Sequence, residues 1–293
     1  MVNRSTCAAL FGVLSLLVIL SVQLQLSHTY ADTGQNVPDQ RAVPLNTEQL
    51  IVQLFERTSV SVVQISTISG GGEPSNSSIQ IGSGFVWDAA GNIVTNEHVI
   101  NGATTIWIWF ASGESVEAEV VAAESAYDLA VIHPKQPHTV PPPMPIGVSS
   151  GLKVGQFAFA IGSPFGLDQS LTMGVIGALN RRLPTSNGHQ VCNMIQTDAA
   201  TYPGNSGGPL LDSHGRLIGV NTISYSIPGS QAALGFAIPV DLVSRVIPDL
   251  IAVGRATGAG IGKMPADDAA PVEPCIPGVV SASLKSGPLA VGK

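Results

Sequence analysis

The chain predicts an all-β fold in two successive units of about 100 residues each, closed by one C-terminal helix. Three observations carry that expectation. Glycine and proline are abundant, at 32 and 21 of 293 residues, while only 11% of residues are charged, a balance that favours strands and turns over helix bundles. Short apolar segments recur at strand spacing with turn signals between them. A proline cluster, Pro141, Pro142, Pro143 and Pro145, divides the segments into two groups, because proline cannot sit in a central strand.

The first group opens with Val60, Val62 and Val63, leading into Ile65 and Ile68, followed by a Gly/Ser/Asn-rich loop over residues 69–80. Phe85-Val86-Trp87 and Ile93-Val94-Thr95 flank Asp88-Ala89-Ala90-Gly91-Asn92, a hairpin signature. Thr104 to Phe110 and Ser115 to Val121 form a second strand pair around Ser112-Gly113, and Leu129 to Ile132 reads as a short buried strand. The second group repeats the pattern with Phe157 to Ile161, Leu171 to Ile176, Met194 to Thr197, Leu210-Leu211, Leu217 to Ile223 and Phe236 to Ile238. Only one helix stands out. Val243, Val246, Ile247, Leu250 and Ile251 share one helical face, with Pro248 placed to kink or shorten it.

Composition excludes several classes. With 44% hydrophobic residues, the bulk of the chain is not disordered. A net charge of −7, with Arg181-Arg182 the one adjacent basic pair, leaves nothing to recruit nucleic acid. Three cysteines exclude a disulfide scaffold and a four-cysteine metal site, and the six histidines show no ligand spacing. Residues 1–31 read as a targeting segment: Arg4, an apolar run from Cys7 to Val22, then Thr29-Tyr30-Ala31 with small residues at the two positions a signal peptidase inspects. If that run is not cleaved, residues 7–22 are a membrane tether; either way the remainder is expected outside the cytoplasm, in the periplasm or an equivalent compartment. Cys192 and Cys275 then lie where a single disulfide can form, without the spacing saying whether they pair. Residues 32–46, with Pro38 and Pro44, read as a linker.

The most informative stretch is Gly204-Asn205-Ser206-Gly207-Gly208-Pro209-Leu210. Glycines around a serine let the backbone come close to a substrate, and the N–H groups of Gly204 and Ser206 can both point at a developing oxyanion. Thr95-Asn96-Glu97-His98-Val99 places a histidine just after a hairpin strand, and Tyr127-Asp128-Leu129 places an aspartate at the mouth of a buried one. Serine is a poor nucleophile until a histidine takes its proton, and that histidine needs a carboxylate to fix its tautomer. Taken singly, each residue has a plain structural reading: a turn, a structural histidine, a capped loop. Their order, His98, Asp128, Ser206, is that of chymotrypsin-like proteases. The alternative serine elbow of α/β-hydrolases requires a helix after the serine and a histidine well downstream. Gly207-Gly208-Pro209 forbids the helix, and the sole later histidine, His214, sits in a turn.

The chain resembles the HtrA/Deg (DegP-like) serine endopeptidases, a branch of the chymotrypsin-like proteases, over about residues 47 to 262. The resemblance rests on Gly82-Ser83-Gly84-Phe85, Thr95-Asn96-Glu97-His98-Val99, Asp128-Leu129-Ala130-Val131, Gly162-Ser163-Pro164-Phe165-Gly166 and Gln196-Thr197-Asp198-Ala199. It continues through Pro203 to Leu210, Gly219-Val220-Asn221-Thr222 and Gly235-Phe236-Ala237-Ile238-Pro239. It implies two six-stranded antiparallel β-barrels, one over about 47–140 and one over about 146–255, within a protease domain spanning 47–255. By position it makes His98 the general base, Asp128 its orienter and Ser206 the nucleophile. It places the oxyanion hole at Gly204, Asn205 and Ser206, and the strand that pairs with substrate backbone at Thr222, Ile223 and Ser224.

No acidic residue lies within Ala199 to Pro203, so the first specificity pocket is expected to take small or aliphatic side chains, as in the family, with Tyr225 placed to narrow it. The resemblance also implies unfolded polypeptides as substrates, no metal or organic cofactor, and a homotrimer. Phe55 is the apolar candidate for the trimer contact, against the plainer reading of a core residue. Family members carry PDZ domains after the protease. Here Gly258-Ala259-Gly260-Ile261-Gly262 and Pro277 to Ala282 resemble the opening of one, so residues 256–293 read as a truncated PDZ or as a disordered tail. Two other classes stay in view: a non-catalytic chaperone on a protease fold, and an esterase, separable by its preference for small acyl esters.

Overall fold

The structure, a computed structural model, describes residues 45–70, 78–136, 138–184, 190–226 and 233–257. The expected leader, almost all of the linker and the tail from residue 258 lie outside the described residues, as do Cys275 and the side chains of Ile223, Ser224 and Tyr225. The chain divides into two units, Met1–Leu50 and Ile51–Lys293. Of the first unit only residues 45–50 are described, and they are helical. The second unit holds both barrels.

Alternation of buried and open residues builds the first barrel. Along strand β1 (Val62–Ser69) Val63, Ile65 and Thr67 are buried while Gln64, Ser66 and Ile68 are partly open. A half-buried strand shows that period-two pattern. Strands β2 (Ser78–Val86) and β3 (Ile93–Thr95) pair with Phe85 opposite Val94, the Asp88–Asn92 turn between them. The Asp88 carboxylate holds that turn by accepting from the Ala90 and Asn92 backbones and from Asn92 Nδ2. With β4 (Ala103–Trp109), β5 (Ser115–Glu124) and β6 (Leu129–Pro134) the sheet closes in the order β1-β2-β3-β6-β5-β4. Its core is large and β-branched: Val63, Ile65, Ile93, Ile106, Ile108 and Ile132, with Phe110.

The second barrel comprises β7 (Phe157–Gly162), β8 (Ser170–Pro184), β9 (Gln190–Thr197), β10 (Pro209–Leu211), β11 (Leu217–Ser226) and β12 (Ala233–Pro239), closed in the order β10-β11-β12-β9-β8-β7. Its core is smaller-grained, with Ala158, Ala160, Ala199 and Ala237 beside Ile176, Ile195, Leu210 and Ile218. A third apolar cluster joins Phe85, Val94, Leu129 and Val131 of the first barrel to Phe159, Ile161, Leu211 and Val220 of the second. Two six-stranded antiparallel barrels and a C-terminal helix are therefore present, as expected.

The helices depart from the sequence reading in two places. Helix α1 (Leu45–Thr58) covers the last two residues read as linker and the start of the first unit, a stretch to which the sequence reading assigned no element. Leu54 is 1% exposed, and Ile51 and Phe55 pack against the same cluster, so Phe55 has the core role. The one-turn helix α2 (Glu97–Ile100) follows β3 directly. The C-terminal helix α3 (Val240–Thr257) continues through Pro248. Proline there removes one backbone hydrogen bond, but Val243, Val246, Ile247, Leu250 and Ile251 are all buried on one face, and burying five such side chains outweighs it, at about 1.5–3 kcal/mol each.

Candidate active site

Each site residue is positioned by a short, irregular piece of chain set on a regular strand. His98 lies on α2, immediately after β3. Asp128 stands at the entrance to β6 with φ of 55°, a left-handed conformation that aspartate tolerates better than most residues. Asn96 Nδ2 donates to the Asp128 carbonyl at 2.8 Å and holds that turn. The two side chains meet closely. His98 Nδ1 lies 2.9 Å from both carboxylate oxygens of Asp128, and the His98 backbone N–H donates to Oδ1 at 3.0 Å. Asp128 is nearly buried and His98 more open, with side-chain exposures of 9% and 27%. This geometry fixes Nδ1 as the protonated nitrogen and leaves Nε2 without a protein partner among the described residues, the state in which imidazole can accept a proton.

A third donor completes the Asp128 environment. Thr222 Oγ1, on β11, donates to Asp128 Oδ2 at 2.5 Å. Sequence reasoning placed Thr222 on the substrate strand and missed this contact; the structure makes its hydroxyl a clamp on the carboxylate as well. The β11–β12 register slips between Asn221 and Ser224, which takes the Thr222 backbone out of the regular ladder. Its carbonyl accepts from Ser206 Oγ at 2.9 Å. The Ser206 hydroxyl therefore rests against Thr222, and no hydrogen bond joins it to the His98 ring.

The loop carrying Ser206 is shaped by glycines and by the other barrel. Gly204 has φ of 104°, and a Cβ there would come within 2.5 Å of the Ser163 carbonyl oxygen. Gly207 has φ of 83°, and a Cβ there would collide with the Ser83 carbonyl oxygen. Both positions demand glycine. Among the described residues, the backbone N–H groups of Gly204 and Ser206 have no protein acceptor, whereas that of Asn205 donates to the Tyr202 carbonyl at 3.0 Å. Of the three residues expected at the oxyanion hole, two thus present open donors, and Asn205, 2% exposed, shapes the turn between them.

Ser83, in the Gly-Ser-Gly motif of β2, ties this loop to the first barrel. Its Oγ donates to the Gly204 carbonyl at 2.6 Å and accepts from Ser163 N at 3.0 Å, and its N–H donates to the Ser206 carbonyl at 2.8 Å. Behind the loop, Asp198 Oδ1 accepts from Val175 N at 2.7 Å, so this carboxylate is committed to β8. Among the described residues no group of three or more His, Cys, Asp or Glu could hold a metal ion. Cys192 is disulfide-bonded.

The chain is similar to known proteases in both sequence and fold. The trypsin-like peptidase domain family matches residues 82–220. The chain is 44% identical over 225 residues to Protease Do-like 1, chloroplastic, of Arabidopsis thaliana, covering 74% of this chain and 51% of that one. It is 43% identical over 227 residues to Protease Do-like 5, chloroplastic, of the same organism, covering 70% of each. The crystal structure of Deg5 superimposes with a TM-score of 0.60 at 41% identity, over 71% of this chain and 96% of that one. The chain spans about half the length of the first of these relatives. With two closed barrels and this extent of similarity, the chain belongs to the HtrA/Deg family of chymotrypsin-like serine proteases.

Proposed function

We propose that the protein is a serine endopeptidase that hydrolyses peptide bonds of unfolded or damaged polypeptides outside the cytoplasm. His98 acts as general base, Asp128 fixes and stabilises its ring, and Ser206 is the nucleophile that forms the acyl-enzyme. The N–H groups of Gly204 and Ser206 stabilise the oxyanion, each contributing about 3 kcal/mol. Thr222, Ile223 and Ser224 align the substrate backbone. The observation that carries the reading is the His98–Asp128 pair at 2.9 Å, held by Thr222, beside Ser206, whose N–H and that of Gly204 have no protein acceptor among the described residues.

The Ser206 hydroxyl must first rotate from the Thr222 carbonyl toward His98 Nε2. That turn supports a resting state from which substrate or an activator shifts the enzyme. With Asp198 bonded to β8, the residues before Ser206 offer no carboxylate to a basic side chain, which supports preference for small or aliphatic residues before the scissile bond. A digest of a peptide library showing cleavage mainly after Lys or Arg would contradict this. The extracytoplasmic address rests on the leader-like residues 1–31. The homotrimer rests on family membership, and a monomeric mass in light scattering at micromolar concentration would refute it.

The decisive test is degradation of casein by the wild type beside Ser206→Ala. Loss of the nucleophile lowers turnover about 10⁶-fold, so the wild type cleaves and the variant does not. Activity is also expected to fall in acid, where a general base is protonated; a profile flat into strong acid removes His98 as base. If neither protein cleaves casein or peptides, the non-catalytic chaperone reading takes over, and suppression of aggregation becomes the assay.

A further inference from the structure

The described surface beside Ser206 carries an apolar patch drawn from three segments. Ile79 on β2 is 70% exposed, Phe165 and Leu167 on the turn after β7 are 63% and 64% exposed, and Tyr202 on the nucleophile loop is 48% exposed. The rings of Phe165 and Tyr202 lie 6.1 Å apart, tilted by 37°. Ile81, two residues along β2 on the same face as Ile79, reaches that turn, for a Cβ on Gly166 would stand 2.8 Å from Ile81 Cδ1. Single exposed apolar residues are ordinary, whereas a contiguous set marks a surface that binds something.

Its place relative to the nucleophile says what it binds. On one side, Ser206 Oγ reaches the Thr222 carbonyl. On the other, the Ser206 carbonyl accepts from Ser83, two residues beyond Ile81, and the Pro203 carbonyl, just before Gly204, accepts from Phe165 N at 3.0 Å. The patch therefore lies across Ser206 from the Thr222 strand. A polypeptide whose acyl half follows residues 222–224, with its scissile carbonyl at the Gly204 and Ser206 N–H groups, continues over β2 and the 163–167 turn.

We infer that Ile79, Ile81, Phe165, Leu167 and Tyr202 form a shelf for the leaving-group side of the substrate, taking a large aliphatic or aromatic side chain within two residues after the scissile bond. The inference rests on the endopeptidase reading and names the feature of an unfolded chain that the site selects. Such side chains are buried in folded proteins and exposed in unfolded ones. The five residues carry no charge, so the shelf discriminates by burial of apolar surface.

Two peptides differing only in Phe or Ser at the second position after the scissile bond test it. The wild type is expected to prefer the Phe peptide about tenfold in kcat/KM. In the double variant Ile79→Ser/Leu167→Ser, and separately in Tyr202→Ser, that ratio falls toward one. Because the ratio is taken within each protein, any loss of folded material cancels. A wild-type ratio near one, or a ratio unchanged in both variants, overturns the shelf while the endopeptidase reading stands. A lowered assembly mass in the double variant with the ratio unchanged makes the patch a contact between copies and likewise overturns it. No cleavage of either peptide or of casein by the wild type overturns the endopeptidase reading, and the shelf with it.

Discussion

The two barrels share one topology but differ in regularity. In the first, the described strand pairs carry two register slips, in β1–β4 and β5–β6. In the second there are five: three along β8–β9 and one each in β10–β11 and β11–β12. The first barrel's own cluster is mostly large and β-branched, whereas half of the buried residues in the second's are alanines. The proposed chemistry is divided along the same line. The regular barrel holds the base and its carboxylate, which must keep one fixed relation. The irregular one holds the nucleophile, the oxyanion donors and the substrate strand, where backbone must leave its ladder to meet a second chain. Bulges and slips release main-chain groups that a regular sheet would pair internally.

Four substitutions test this division of labour. Asp128→Asn strikes the first barrel's contribution with almost no change of shape, and is expected to lower kcat about 10⁴-fold. The measurement is steady-state kinetics with circular dichroism as a check on folding. A loss under tenfold would mean that the carboxylate is only structural.

Ser83→Ala cuts the seam between barrels, leaving the Gly204 carbonyl and the Ser163 N–H without their partner. Buried polar groups so orphaned cost about 1–3 kcal/mol, read as a lower denaturation midpoint, and the freed Gly204 lowers kcat as well. If stability falls and kcat does not, the seam supports the fold alone.

Thr222→Val removes one charge-assisted donor to Asp128 while leaving the Thr222 carbonyl in place. About a tenfold fall in kcat is expected, restored in part by Thr222→Ser. An unchanged kcat in Thr222→Val would confine this residue to substrate alignment.

The smallest effect belongs to Asp241, at the start of α3. Burial acts to raise its pKa, but hydrogen bonds from Ser149 and Ser150 to its two oxygens, each 2.8 Å, outweigh burial and hold it below the ordinary carboxylate value. A carboxyl group depressed in the folded state stabilises above its ordinary pKa and loses that contribution as pH falls through the folded value. Asp241→Asn is therefore expected to lower Tm by about one degree near neutrality, the site being exposed, and the difference should vanish in strong acid. A difference that persists in strong acid would point to geometry instead of charge.

Most strands were legible because alternation and turn residues are local. Phe85 to Val94, across a five-residue turn from Asp88 to Asn92, is such a case. Helix α1 was not, since its polar residues and the nearby prolines disguise a short apolar face that acquires meaning only against the core. His98, Asp128 and Ser206 could be picked out as candidates from order and neighbours. The hydroxyl of Thr222 on Asp128 could not, nor could Ser83 on Gly204, because each joins residues 94 and 121 positions apart. A hydroxyl's partner is a property of the folded chain, and neither serine nor threonine announces it.

The seam at Ser83 has a consequence for how such a chain is made. The proposed base arrives with the first barrel and the proposed nucleophile with the second, and Ser83 on β2 bonds the Gly204 carbonyl of the Ser206 loop. A half-synthesised or half-folded copy holds only part of the cutting centre. On the proposed function, the chain therefore gains its ability to cut only once both barrels have met.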